Sequence, residues 1–146
     1  MVGIVDSEAD LADIVRSART VAVVGMKGEA DADSPAHAVP RALKARGLRV
    51  IPVNPRIASA CGEPAHPNLA AVGERPDIVQ VFRRSEAVAG VADEILALPP
   101  EHRPDVVWMQ SGIRNDEAAR RLVEAGMSVV MDRCLSVYTA KYRARP

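Results

Sequence analysis

The stretch from Thr20 to Gly47 constrains the fold of this chain more than any other. Thr20-Val21-Ala22-Val23-Val24 is an apolar, β-branched run bounded by Gly25. Such a run suits a strand buried on both faces of a parallel sheet. A polar loop follows, opening Gly25-Met26-Lys27-Gly28 and closing at Ser34-Pro35, before an Ala-rich segment that ends at Gly47. Ser34 is placed to cap a helix, and Pro35 to occupy its first position, where a missing N–H is no loss. Gly47 stands where a helix ends in left-handed geometry. Strand, loop and helix in this order aim free backbone N–H groups and the positive end of a helix dipole at one spot, an anion site. His37 lies near the start of that helix, close to the same spot.

The same alternation continues along the chain. Apolar runs at 49–53, 78–82, 105–109 and 128–131 read as further strands. Helical spacing appears over 7–18, capped by Asp6 or Ser7, and over 35–46. Further helices are expected from Ser85 to the Pro99-Pro100 stop, from the Asn115 cap to Gly126, and over 135–142 before the tail frays. Pro40 falls inside the 35–46 segment, where it removes a hydrogen bond to Ala36, so a kink or a loosened first turn is expected there. Residues 57–67 read as loop with a short extended piece near Cys61. Crossovers of this length imply an α/β fold: a doubly wound, parallel, five-stranded sheet with helices on both faces. The 146 residues suit one domain with one core, spanning 1–146, with no repeat or linker.

In such a sheet, ligands bind beyond the carboxyl ends of the strands, where strand order reverses. The loops after the strands are therefore the candidate site. Gly25-x-x-Gly28 is not the G-x-G-x-x-G dinucleotide pattern, but its loop is about nine residues long and can wrap a ligand. After the second strand comes Asn54-Pro55-Arg56, with no acid until Glu63. An acid there usually holds a free ribose 2′-hydroxyl, so its absence disfavours NAD, while Arg56 suits the phosphorylated ribose of NADP or coenzyme A. Arg83 and Arg84 suit phosphate or carboxylate, or form an ordinary surface pair. Phe82, the only phenylalanine, either packs on an adenine or caps the core. Gln110-Ser111-Gly112 can offer amide, hydroxyl and close backbone, whereas Trp108 reads as core.

Other classes find no support. No Walker loop, no G-x-S-x-G elbow and no carboxylate–His–nucleophile set is visible. Cys61 and Cys134 form no metal-like C-x-x-C pair and read as two reduced thiols, with thiol exchange as the alternative. Formal net charge is zero, so no global field draws the chain to nucleic acid or membrane. No apolar run approaches the roughly 18 residues of a membrane span, and the acidic start is unlike a signal peptide, so a cytoplasmic location is expected.

The sequence resembles the stand-alone CoA-binding domain proteins, related to the amino-terminal domain of the succinyl-CoA synthetase α subunit. The carrying residues are Val21-Ala22-Val23-Val24-Gly25, Gly47-x-x-Val50-Ile51-Pro52-Val53-Asn54-Pro55, Asp77-Ile78-Val79-x-Val81-Phe82-Arg83-Arg84, Val107-Trp108-x-Gln110-x-Gly112-Ile113 and Val129-Val130-Met131-Asp132-Arg133-Cys134. The resemblance implies a Rossmann-like domain with the diphosphate of coenzyme A at Gly25, Met26, Lys27 and the helix start near Ser34. It implies adenosine beside Val53, Asn54, Pro55 and Arg56, with Phe82 and Arg83 flanking, and pantetheine running toward Gln110, Ser111 and Gly112. The synthetase's phosphohistidine lies in a second domain that this sequence lacks, so ligase activity does not carry over. The acidic run Glu29-Ala30-Asp31-Ala32-Asp33 departs from the pattern, since its carboxylates oppose an anion unless they face solvent. The expected function is a non-catalytic module that binds coenzyme A or an acyl-CoA. The alternatives are an NADP-linked oxidoreductase fragment and an interaction subunit with a vestigial site. Expected partners are the nucleotide ligand and either a second copy or a synthetase-like protein.

Overall fold

A computed structural model describes residues 2–143. The strands of the main sheet are β1 (Gly3–Ile4), β2 (Thr20–Val24), β3 (Arg49–Val53), β6 (Ile78–Val81), β7 (Val106–Met109) and β8 (Ser128–Val130). They are parallel throughout, in the order β1-β8-β7-β6-β2-β3. The sheet thus has six strands rather than five. The addition, β1, pairs Gly3 with Ser128 and Ile4 with Val129, and a two-residue edge strand is too short to show periodicity. A small antiparallel hairpin, β4 (Ser59–Ala60) and β5 (Glu63–Pro64), stands apart.

Strand alternation sorts the core into two faces. Val21 and Val23 of β2 point into one apolar cluster and Ala22 and Val24 into the other. The first cluster packs against α1 (Glu8–Ser17), α2 (Pro35–Ala45) and α5 (Leu135–Tyr142) through Leu11, Val15, Leu43 and Leu135. The second packs against α3 (Val88–Leu96) and α4 (Asp116–Glu124) through Val91, Ile95, Ala119 and Leu122. Helices on both faces make the sheet doubly wound, as the alternation predicts.

Local chemistry sets the helix ends. Ser7 Oγ accepts from Asp10 N at 3.3 Å, Ser34 Oγ from Ala36 N at 3.3 Å, and Asn115 Oδ1 from Ala118 N at 2.9 Å. α2 continues as one helix through Pro40, where a kink or a loosened first turn is expected. The Ala36 carbonyl, deprived of the Pro40 N–H, accepts instead from Lys27 N at 3.1 Å. The helix expected over 135–142 forms as α5, and the fraying expected beyond it falls on residues 144–146, outside those described. Arg143 donates from Nη1 to the carbonyls of Val15 at 2.9 Å and Ala18 at 2.7 Å, tying the end of α5 to α1. No helix among the described residues is long and apolar enough to cross a membrane.

Candidate functional site

β2 has β3 on one side and β6 on the other, so strand order reverses at β2. A cleft of about 520 Å³ opens beyond the carboxyl ends of these three strands. It is lined by Gly25 and Lys27 after β2, by Asn54, Pro55 and Arg56 after β3, and by Phe82, Arg83 and Arg84 after β6. Ala36 of α2 and Ala87 complete the wall. An adjoining recess of about 340 Å³ lies on the α3 side, lined by Val24, Val53, Pro55, Pro67, Asn68, Arg83, Ala87, Gly90, Val91 and Glu94.

Gly25 is the pivot of the cleft. Its φ is +85°, and an added Cβ would lie 2.3 Å from the Phe82 carbonyl oxygen. Its amide donates to Val53 O at 2.9 Å while Phe82 N donates to Val24 O at 2.9 Å, so the three strand ends are laced together here. Asn54 continues the lacing: Nδ2 donates to Met26 O at 2.9 Å, and Oδ1 accepts from Arg56 N at 2.9 Å in an Asx turn. That turn sets the backbone direction from which Arg56 departs.

The amides of Gly25 and Lys27 are engaged inside the protein, and the first turn of α2 is capped by Ser34. Charge at the cleft therefore comes chiefly from side chains: Lys27, Arg56, Arg83 and Arg84 line it, and no carboxylate does. Among the described residues, Lys27, Arg56 and Arg83 make no ion pair, while Arg84 Nε lies 3.5 Å from Glu86 on the surface. Glu29, Asp31 and Asp33 are exposed and outside the cleft lining, so the acidic run faces away from it.

Seven of the sequence candidates thus meet at the cleft: Gly25, Lys27, Asn54, Pro55, Arg56, Phe82 and Arg83. Val53 lines the recess beside it. Ser34 caps the helix behind Ala36. The Met26 side chain is fully buried in the core on the α1 and α2 face. Gln110 is buried too: its Oε1 accepts from Gln80 Nε2 at 3.1 Å and from Leu135 N at 3.1 Å, so it clips β6 and α5 together. Ser111 and Gly112 are exposed beyond β7, two strands away from β2, and the Gly112 amide donates to Asp132 Oδ1 at 2.6 Å. Trp108 is core, fully buried with Nε1 donating to Arg133 O at 2.8 Å. Phe82 is half-buried, lining the cleft with its ring packed on the core beneath. No sequence signal marks the α3 side of the recess, because Gly90, Val91 and Glu94 follow ordinary helical spacing.

His37 is only 2% exposed and faces away from the cleft. Its Nδ1 donates to the Lys27 carbonyl at 2.8 Å, and its Nε2 lies 3.9 Å from Cys61 Sγ. Cys61 and Gly62 form the two-residue turn between β4 and β5, both with positive φ, 52° and 76°. Glu29 Oε1 accepts from the Cys61 amide at 2.6 Å, and this bond holds its carboxyl below the usual value. Burial, followed by the Glu29 charge, pushes the Cys61 thiol up. Residues 24 and 32 positions away from Cys61 supply this trio, and no local spacing could announce it.

A sequence profile of the family described as CoA binding domain matches residues 19–140. The chain belongs to this family. "Uncharacterized protein YneT" of Bacillus subtilis (strain 168) is 40% identical over 131 residues, which is 90% of this chain and 93% of that protein. "The structure of cell-free ID.343 from Thermus thermophilus" superposes with a TM-score of 0.85 at 41% identity, covering 94% of this chain and 99% of that one. A hypothetical protein from Pyrococcus horikoshii OT3 shares the fold, with a TM-score of 0.82 at 23% identity over 94% of this chain and 92% of its own. The family's defining span covers every strand from β2 to β8 and both loops that carry Arg56 and Arg83.

Proposed function

We propose that this chain binds coenzyme A, or an acyl-CoA, at the cleft beyond β2, β3 and β6. One observation carries the reading. In a member of the CoA binding domain family with zero net charge, a cleft at the strand-order reversal gathers four cationic side chains and no carboxylate. Coenzyme A carries a diphosphate and a ribose 3′-phosphate, and guanidinium groups match phosphate geometry in bidentate pairs. Lys27 and Arg83 would flank the diphosphate, with the α2 dipole adding a favourable field. Arg56 would take the 3′-phosphate. The apolar part of the recess, Val53, Pro55 and Val91, suits the adenine ring. Pantetheine would leave along the open side toward Ser111 and Gly112. This is a binding role, since the cleft supplies charge and shape.

Isothermal titration of freshly purified protein with coenzyme A, dephospho-CoA and NADPH tests it. One equivalent of coenzyme A should bind more tightly than either comparator. No binding of coenzyme A would overturn the reading, and tighter binding of NADPH would replace it with a nicotinamide nucleotide site.

A further inference from the structure

Outside the lining of the cleft, Glu29, His37 and Cys61 bring a carboxylate oxygen, an imidazole nitrogen and a sulfur within 4.8 Å of one another. We propose that these three residues form a binding site for a divalent cation of the Zn²⁺ type, independent of any nucleotide in the cleft. The donor set is that of a borderline-soft metal, since thiolate and imidazole together select zinc over magnesium or calcium. The spacing agrees: the 3.9 Å between Nε2 and Sγ compares with about 3.6 Å across a tetrahedral zinc with ordinary Zn–N and Zn–S bonds.

The orientation of His37 is the second, independent observation. The ring is 98% buried by its 2% exposure, and its Nδ1–H is fixed on the Lys27 carbonyl at 2.8 Å. That leaves the Nε2 lone pair aimed at the thiol, with no stronger partner there. Metal-bound histidines are held in this manner, one nitrogen on a backbone carbonyl and the other on the ion. Lys44, one of the cations near Cys61, is engaged with the Cys61 carbonyl and with Glu63 at 3.4 Å, so its charge is offset. Three protein donors leave a fourth position for water or an exogenous ligand.

The site would join three separate segments: the β2–α2 loop through Glu29, α2 through His37, and the β4–β5 turn through Cys61. It would also act on the cleft, because the residue that orients His37 is Lys27, whose side chain lines that cleft.

Cobalt(II) titration of reduced, chelator-treated, tag-free full chain tests the proposal. One equivalent should bind and give a sulfur-to-cobalt charge-transfer band in the near ultraviolet. The band should vanish in Cys61→Ser and persist in Cys134→Ser. Glu29→Gln alters an exposed side chain and leaves the core intact, so it reports even if Cys61→Ser fails to fold; its cobalt affinity should fall about tenfold or more. Absence of the band in the unmodified chain, its survival in Cys61→Ser, or unchanged affinity in Glu29→Gln would each overturn the site.

Discussion

Gly25 shows how one residue can decide a site. Its positive φ and the Phe82 carbonyl 2.3 Å from any added Cβ leave no room for a side chain. Gly25→Ala should destabilise the protein by about 3 kcal/mol or more, seen as a lowered urea midpoint, because strain and a backbone clash coincide. An unchanged midpoint would mean that β2 and β6 part easily at the cleft. Arg56 is the opposite case, exposed and without an ion pair among the described residues. Arg56→Ala should weaken coenzyme A roughly tenfold, about 1.4 kcal/mol, with stability unaltered. The same substitution should leave dephospho-CoA binding unaffected. Equal losses for both ligands in a titration would move Arg56 off the 3′-phosphate.

At the scale of elements, the β2–loop–α2 unit is where sequence and structure agree most and then part. The strand over 20–24, the Ser34 cap and the helix through to Ala45 follow from β-branching, capping chemistry and spacing, and all are local signals. Pro40 is the instructive departure. A proline inside a helix orphans a carbonyl, and here the Ala36 oxygen accepts from the Lys27 amide of the preceding loop. The Lys27 amide is thus drawn inward, and the formal charge that lines the cleft is that of cationic side chains. No sequence rule reveals that exchange, because it joins residues across a loop of irregular backbone. In hydrogen exchange, the Lys27 amide should be protected well beyond the amides of Glu29 to Asp33. Rapid exchange at Lys27 would show that Pro40 does not pin the loop. Gln110 and Met26 show a related limit of the sequence. Both follow strands at the mouth of the sheet, yet Gln110 turns inward to Gln80 and the Leu135 amide, and Met26 fills the core. Position along the chain placed them near the site, and only packing determines which way they point.

For the whole molecule, the alternation of apolar runs made the doubly wound sheet legible, while β1 and the closure of the two chain ends were not. Glu8 at the start of α1 accepts from the hydroxyls of Tyr142 and Tyr138, the latter at 3.3 Å, and pairs with Lys141 at 3.4 Å. The Tyr142 bond, first among these, holds its carboxyl below the ordinary 4.5. A carboxylate whose pKa is depressed on folding stabilises the protein above its unfolded value and loses that contribution as pH falls through the folded one. Thermal midpoints should therefore decline as pH drops below 4.5, and Glu8→Gln should flatten part of that decline. A Glu8→Gln profile parallel to the unmodified one would assign the acid sensitivity elsewhere. The most direct measurement on the molecule is a crystal structure with coenzyme A soaked in. Diphosphate density between Lys27 and Arg83, with the ribose phosphate on Arg56, is the expected result. Coenzyme A seated elsewhere on the protein, with that cleft filled by solvent, would contradict it.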